Sequence, residues 1–188
     1  MQPGFKDLTN YFIALGAAEV DHSHKTYLAH AIGVYNDMKA LGGNDELCRA
    51  ALFHSIYGTQ GFQGFTLPIA RQAELRELIG DHAERIAYLN CFMNRESFDA
   101  TLTQPAKFDS IIHRETRETL VLSKTDYDDL VCIHLCDWLE QVRRDQRWDY
   151  RRVAYRKMAE HLGGNALAAY DRVFAFEPVR QSLTDPKR

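Results

Sequence analysis

Residues 51–59 read A-L-F-H-S-I-Y-G-T. An apolar helical run meets His54, then Ser55, and then the turn formers Tyr57, Gly58 and Thr59. A histidine set among Leu52, Phe53 and Ile56 faces burial, and a buried polar group without a partner costs roughly 1–3 kcal/mol. Two other segments supply inward polar residues. His30 lies in L-A-H-A-I-G-V (28–34), and Asp137 lies in V-C-I-H-L-C-D-W-L (131–139), with His134 almost one turn before it. An ionised aspartate in so apolar a helix needs a counter-charge, a donor network or a metal. Three such residues on three helices point to one polar centre inside the core.

The rest of the chain reads as helix almost throughout. Residues 5–16 carry apolar positions at helical spacing and end at a glycine. Ser23 stands as the N-cap of a helix that stops at Gly42-Gly43, and Asn44 or Asp45 caps the next, which runs to about Tyr57. Helices are expected over 68–79 and 81–94. Ser123 caps a long helix beginning at Lys124, and two more, about 149–162 and 165–175, are divided by Gly163-Gly164. Residues 110–122 are β-branched around a polar centre and suggest a small β-hairpin. The expected fold is all-α, a single bundle of about seven helices over residues 1–180, with a tail at 181–188.

With 188 residues, 45% hydrophobic and 26% charged, the chain suits one globular domain. Its net charge of -3 supplies no field for nucleic acid or an anionic membrane. The basic run of Arg143, Arg144, Arg147, Arg151, Arg152 and Arg156 is interleaved with Asp145, Asp149 and Tyr150, and reads as a solvated helix face. No apolar stretch is long enough to span a bilayer, and the N-terminus has no signal-peptide pattern. Cys48, Cys91, Cys132 and Cys136 lack C-x-x-C spacing and read as reduced thiols, which places the protein in the cytoplasm. Cys132 and Cys136 share a helix face, but two thiols alone make a poor zinc site.

The combination of His30, the A-A-L-F-H-S-I-Y-G segment and an aspartate on a later apolar helix resembles the HD-domain superfamily. The resemblance covers about residues 24–140. It implies a helical bundle that binds divalent metal through a histidine, a His-Asp pair and a distal aspartate, matched here by His30, His54 and Asp137. Ser55 stands where the pair has its aspartate, so a dinuclear site lacks its bridging ligand. The 24 residues between His30 and His54 resemble the oxygenase branch of the superfamily, which includes myo-inositol oxygenase and the phosphonate-cleaving oxygenases. His24 offers the longer spacing of the phosphohydrolases. His82 and His113 fall where second-metal histidines are expected, though both read as exposed.

Two histidines and one carboxylate form the ligand set of mononuclear non-haem Fe(II) oxygenases, and the same set holds zinc or manganese with an activated water. The expected function is therefore a metal-dependent small-molecule enzyme with Fe(II) favoured and oxygenase-type chemistry. The alternatives are a metal-dependent phosphohydrolase and a non-catalytic domain that binds a ligand or partner. His134 is a further candidate ligand, and Tyr57, Glu140 and Ser55 are candidate catalytic groups. Residues 58–66 form a glycine- and aromatic-rich loop, from which Phe62, Gln63 and Phe65 are placed to close over a small molecule. His22 and His24 are candidates for the pocket mouth, and Lys124 and Arg95 for anchoring an anion. Aromatic residues in 149–175 offer a surface for a homodimer.

Overall fold

Side-chain caps set where several helices begin. In the computed structural model, which describes residues 3–104 and 108–179, Asn44 accepts from the Leu47 amide and opens α3 (Asp45–Leu52). Ser123 and Asp126 form a reciprocal capping box at the head of α7 (Lys124–Asp145). The described residues contain nine α-helices: α1 (Phe5–Ala14), α2 (Tyr27–Leu41), α3, α4 (Gln72–Ile79), α5 (Asp81–Phe92), α6 (Arg95–Thr103), α7, α8 (Arg152–Leu162) and α9 (Gly164–Phe174). The fold is all-α, as the periodicity predicts. No described helix is long and apolar enough to cross a membrane.

α2 packs against α3 and α7, and α3 against α5, while α8 and α9 close the far side of α7. The apolar stripes of these helices meet in a core that buries Phe12, Tyr27, Phe53, Trp138 and Tyr155. α7 is central. Its middle, residues 130–139, is buried on most sides, which explains why 131–139 is so apolar.

Four local features differ from expectation. α3 ends at Leu52, with Phe53 as its C-cap, so His54 and Ser55 sit in the turn beyond the helix. Ser23 is not an N-cap: it has a left-handed backbone between strands β1 (Asp21–His22) and β2 (Lys25–Thr26), and Thr26 caps α2 instead. α6 has no counterpart in the sequence reading, although Asn94 caps it in the ordinary way. Arg151, also left-handed, delays the start of α8 to Arg152. The hairpin expected at 110–122 is present as β3 (Ser110–Ile112) and β4 (Thr119–Val121), antiparallel with Ile111 opposite Leu120. The tail expected at 181–188 lies outside the described residues.

Candidate metal centre and its pocket

His30 comes from the first turn of α2, His54 from the turn after α3, and Asp137 from the middle of α7. The packing of α2 against both α3 and α7 brings them together. His30 Nε2 lies 3.2 Å from His54 Nε2 and 3.1 Å from Asp137 Oδ1, and His54 Nε2 lies 3.5 Å from the same oxygen. An ion bound at about 2.0–2.2 Å has neighbouring ligand atoms roughly 3.0–3.5 Å apart. The triangle therefore fits one divalent ion as it stands. Among the described residues this is the one cluster of three or more His, Cys, Asp or Glu side chains with such spacing.

The outer nitrogens fix the tautomers. His54 Nδ1 lies 2.8 Å from the Ala51 carbonyl, which only accepts, so Nδ1 carries the hydrogen and Nε2 presents a lone pair. His30 Nδ1 lies 2.5 Å from Glu140 Oε2 and donates to it. Two bare imidazole nitrogens and a carboxylate oxygen thus face one another, an arrangement that calls for a cation between them. Without metal that cation is a proton. Burial opposes charge on His30, but the hydrogen bonds to Asp137 and Glu140 outweigh it and raise its pKa. Burial likewise opposes charge on Asp137, and His54 and His30 overcome it, holding the carboxyl well below its usual range.

Glu140 is held in turn. It accepts from Arg144 at 2.8 and 3.1 Å and pairs with Lys25, and its pKa falls to about 2 because these bonds, His30's first, override its burial. It lies close against α2 at Gly33, where an added Cβ would come within 2.6–2.9 Å of the carboxylate and its Cγ. Nothing local in the sequence marks Gly33; its meaning lies in a contact with a helix more than a hundred residues away. On the other side, Asn90 Nδ2 donates to the His54 carbonyl at 2.8 Å. Asn90 Oδ1 accepts from His134 Nδ1 at 3.1 Å.

A cavity of about 240 Å³ opens onto His54, Asp137 and Ser55. Phe62, Trp138, Tyr150 and Tyr155 supply aromatic wall, and Arg95 and Arg147 supply positive charge. Arg95 is half-buried and donates to Tyr150 Oη at 2.7 Å; no carboxylate among the described residues pairs with it. Its guanidinium crosses Gly61, where a Cβ would lie 2.6 Å from Nη1. Arg147 spans the Tyr150 ring at 5.1 Å while pairing with Asp145. Arg151 is half-buried against Asp99, His134 and Tyr155. The arginine run is therefore no uniform solvated face. Chain turns at Gln146 and Arg151 break the helical spacing that made it look like one.

Several expected site residues are placed elsewhere. His134 has both nitrogens committed to Asn90 and Arg151, so it is no ligand; burial first, then Arg151, lowers its pKa. Tyr57 donates to buried Glu84 at 2.9 Å and faces away from the cavity. Glu140 braces His30 from behind and does not line the cavity. Ser55 does line it, with its hydroxyl 3.2 Å from Tyr27 Oη. His24 is exposed on the β1–β2 turn, whereas His22 lines the cavity and stacks on His30 at 4.0 Å. Of the loop residues Phe62 lines the cavity, Gln63 turns back to the Thr59 carbonyl and Phe65 packs towards Tyr27. Lys124 pairs with Asp128 on the surface and borders a separate cavity. Neither His82, paired with Asp129, nor His113 joins the cluster, and His113 is buried against Phe92 where exposure was expected.

Residues 11–95, under half of the chain, match the family described as Domain of unknown function (DUF6817). No curated protein matches the chain. Among solved structures it resembles a metazoan ortholog of SpoT that hydrolyses ppGpp and plays a role in starvation responses. The TM-score is 0.56 at 16% identity, over 93% of this chain and 97% of that one. At that identity the likeness establishes the fold, an HD-like helical domain.

Proposed function

We propose that the chain is a metal-dependent phosphohydrolase that acts on a small phosphate ester at a single-ion site. The observation that carries this reading is Arg95, a half-buried guanidinium with no carboxylate partner among the described residues, lining the same cavity as His54 and Asp137. A planar cation left unneutralised beside a carboxylate- and imidazole-lined floor is a receptor for an oxyanion. The SpoT ortholog with the same fold acts on a phosphate ester, which supports hydrolysis over the oxygenase chemistry suggested by the short His30–His54 spacing.

His30, His54 and Asp137 hold the ion. When bound, a divalent ion supplies a water of lowered pKa and neutralises charge on the phosphoryl group. Glu140 keeps the His30 proton on Nδ1, so Nε2 stays free for the ion. Gln141 donates to Asp137 Oδ1 at 2.9 Å and fixes that carboxylate's rotamer. Arg95 binds and orients the phosphate, while Phe62 and Trp138 exclude bulk water. Ser55 offers a neutral hydroxyl where a second ion would need a bridging carboxylate, so we assign one ion, zinc or manganese as readily as Fe(II). The four free thiols suit a reducing compartment, and we place the protein in the cytoplasm.

The experiment joins metal content to phosphate release. Protein loaded with Zn, Mn or Fe should bind about one ion per chain, lose it in His54→Ala and Asp137→Ala, and release phosphate from a small ester. Arg95→Ala should keep the ion and raise KM about 10- to 100-fold. A protein that takes up none of the three ions overturns the reading. So does iron-dependent dioxygen uptake without phosphate release.

A further inference from the structure

His134 is buried in α7 beside the candidate ion site yet is no ligand, so a core histidine is left without a role in the chemistry. We infer that Arg151 is a positioning residue for the ligand His54, acting through His134 and Asn90. This rests on the single-ion site proposed above.

The donors along this chain of residues run one way. Arg151 Nη1 lies 2.6 Å from His134 Nε2, and a guanidinium only donates, so Nε2 accepts and the ring hydrogen sits on Nδ1. Nδ1 donates to Asn90 Oδ1 at 3.1 Å, which turns the amide so that Nδ2 donates to the His54 carbonyl at 2.8 Å. The Cys91 thiol, at 3.3 Å, is a second and weaker donor to that carbonyl. His54 lies in the turn beyond α3, so no helical ladder holds its carbonyl. Where the carbonyl sits helps to set where Nε2 meets the ion.

Arg151 is itself held for this contact. Asp99 of α6 accepts from its Nε at 2.9 Å and pairs with Nη2, which leaves Nη1 for His134 and, at 3.2 Å, for Tyr155 Oη. Its backbone has a φ of 46°, a left-handed conformation that L side chains rarely adopt, just before α8. Arg151 does not border the cavity, so it reaches the ion only through the residues between. Without it, nothing close keeps the hydrogen on Nδ1: Tyr155 Oη is 3.5 Å from Nε2, at the limit of a hydrogen bond. In the other tautomer Nδ1 accepts, Asn90 turns its Nδ2 towards the ring, and the His54 carbonyl loses that donor.

The test is calorimetric titration of the full chain with manganese, alongside urea unfolding. Arg151→Met should bind manganese about tenfold more weakly than wild type. Arg151→Lys keeps a donor for His134 but loses the planar fork on Asp99, so it should be destabilised while its manganese affinity stays within about threefold of wild type. A role limited to the pairing with Asp99 would not separate the two variants in this way. Should Arg151→Met fail to fold, His134→Asn, with an amide N–H in place of Nδ1, should bind manganese about tenfold more tightly than His134→Leu, which has no donor. Wild-type affinity in Arg151→Met, an Arg151→Lys as weak as Arg151→Met, or equal affinities in the two His134 variants overturns the inference and leaves the ion site standing. Wild-type protein that binds neither manganese, zinc nor iron removes the ion site and the inference with it.

Discussion

Glu140→Gln separates the electrostatic role of this residue from its packing. The side chain is 6% exposed and sits among His30, Arg144 and Lys25. The substitution keeps the shape and an acceptor oxygen but removes the charge. Glu140's pKa lies at about 2 in the folded protein, against an ordinary 4.5. Its pKa is lower folded than unfolded, so its contribution is present above about pH 4.5 and is lost as pH falls towards 2. At about 1.36 kcal/mol per pH unit, the difference is worth about 3 kcal/mol at pH 7 and about half that at pH 3. Urea unfolding of metal-free wild-type and variant protein at pH 7, 5 and 3 measures it. The gap should close as the solution is acidified. Separately, the less firmly oriented His30 should weaken zinc or manganese affinity about 10- to 100-fold at pH 7, read by calorimetry. A destabilisation that stays constant across pH, with unaltered metal affinity, would refute the account of Glu140 as His30's charged brace.

Gly33→Ala should act at the same contact from the opposite helix: the new methyl group displaces Glu140, and metal affinity falls about tenfold although alanine favours helix. Far-ultraviolet circular dichroism should show α2 intact; unchanged affinity would mean that Glu140 shifts without letting go of His30. Asn90→Ala strips His134 Nδ1 of its partner and leaves the His54 carbonyl only the Cys91 thiol at 3.3 Å, and should cost about 1–3 kcal/mol in urea unfolding for the one buried group left unpaired. Ser55→Asp should raise the affinity for manganese or its stoichiometry above one per chain, measured by titration. If neither changes, Ser55 does not hold the place of a lost ligand.

The candidate ligands were legible in the sequence because each broke a rule. His30, His54 and Asp137 are polar residues in apolar helical surroundings, and burial makes such residues rare unless something pairs with them. Helix spacing and caps such as Asn44 and Ser123 likewise revealed most of the bundle, since both are local properties of the chain. α6 escaped because it is only nine residues long and buries just Phe98 and Thr101, so few apolar positions mark it. His134 shows the limit of that reading. It breaks the same rule as Asp137 on the same helix, yet its partners Asn90 and Arg151 come from other segments and turn it away from the centre.

The sequence by itself therefore determined an all-α chain with an inward-facing His-His-Asp set and a serine beside it. Tertiary structure decided that Glu140 supports His30, that Gly33 makes room for it, and that Arg95 faces the cavity while Lys124 does not. These depend on contacts between helices far apart in the chain. The apolar pattern says that a face is buried, while packing decides which atoms it meets.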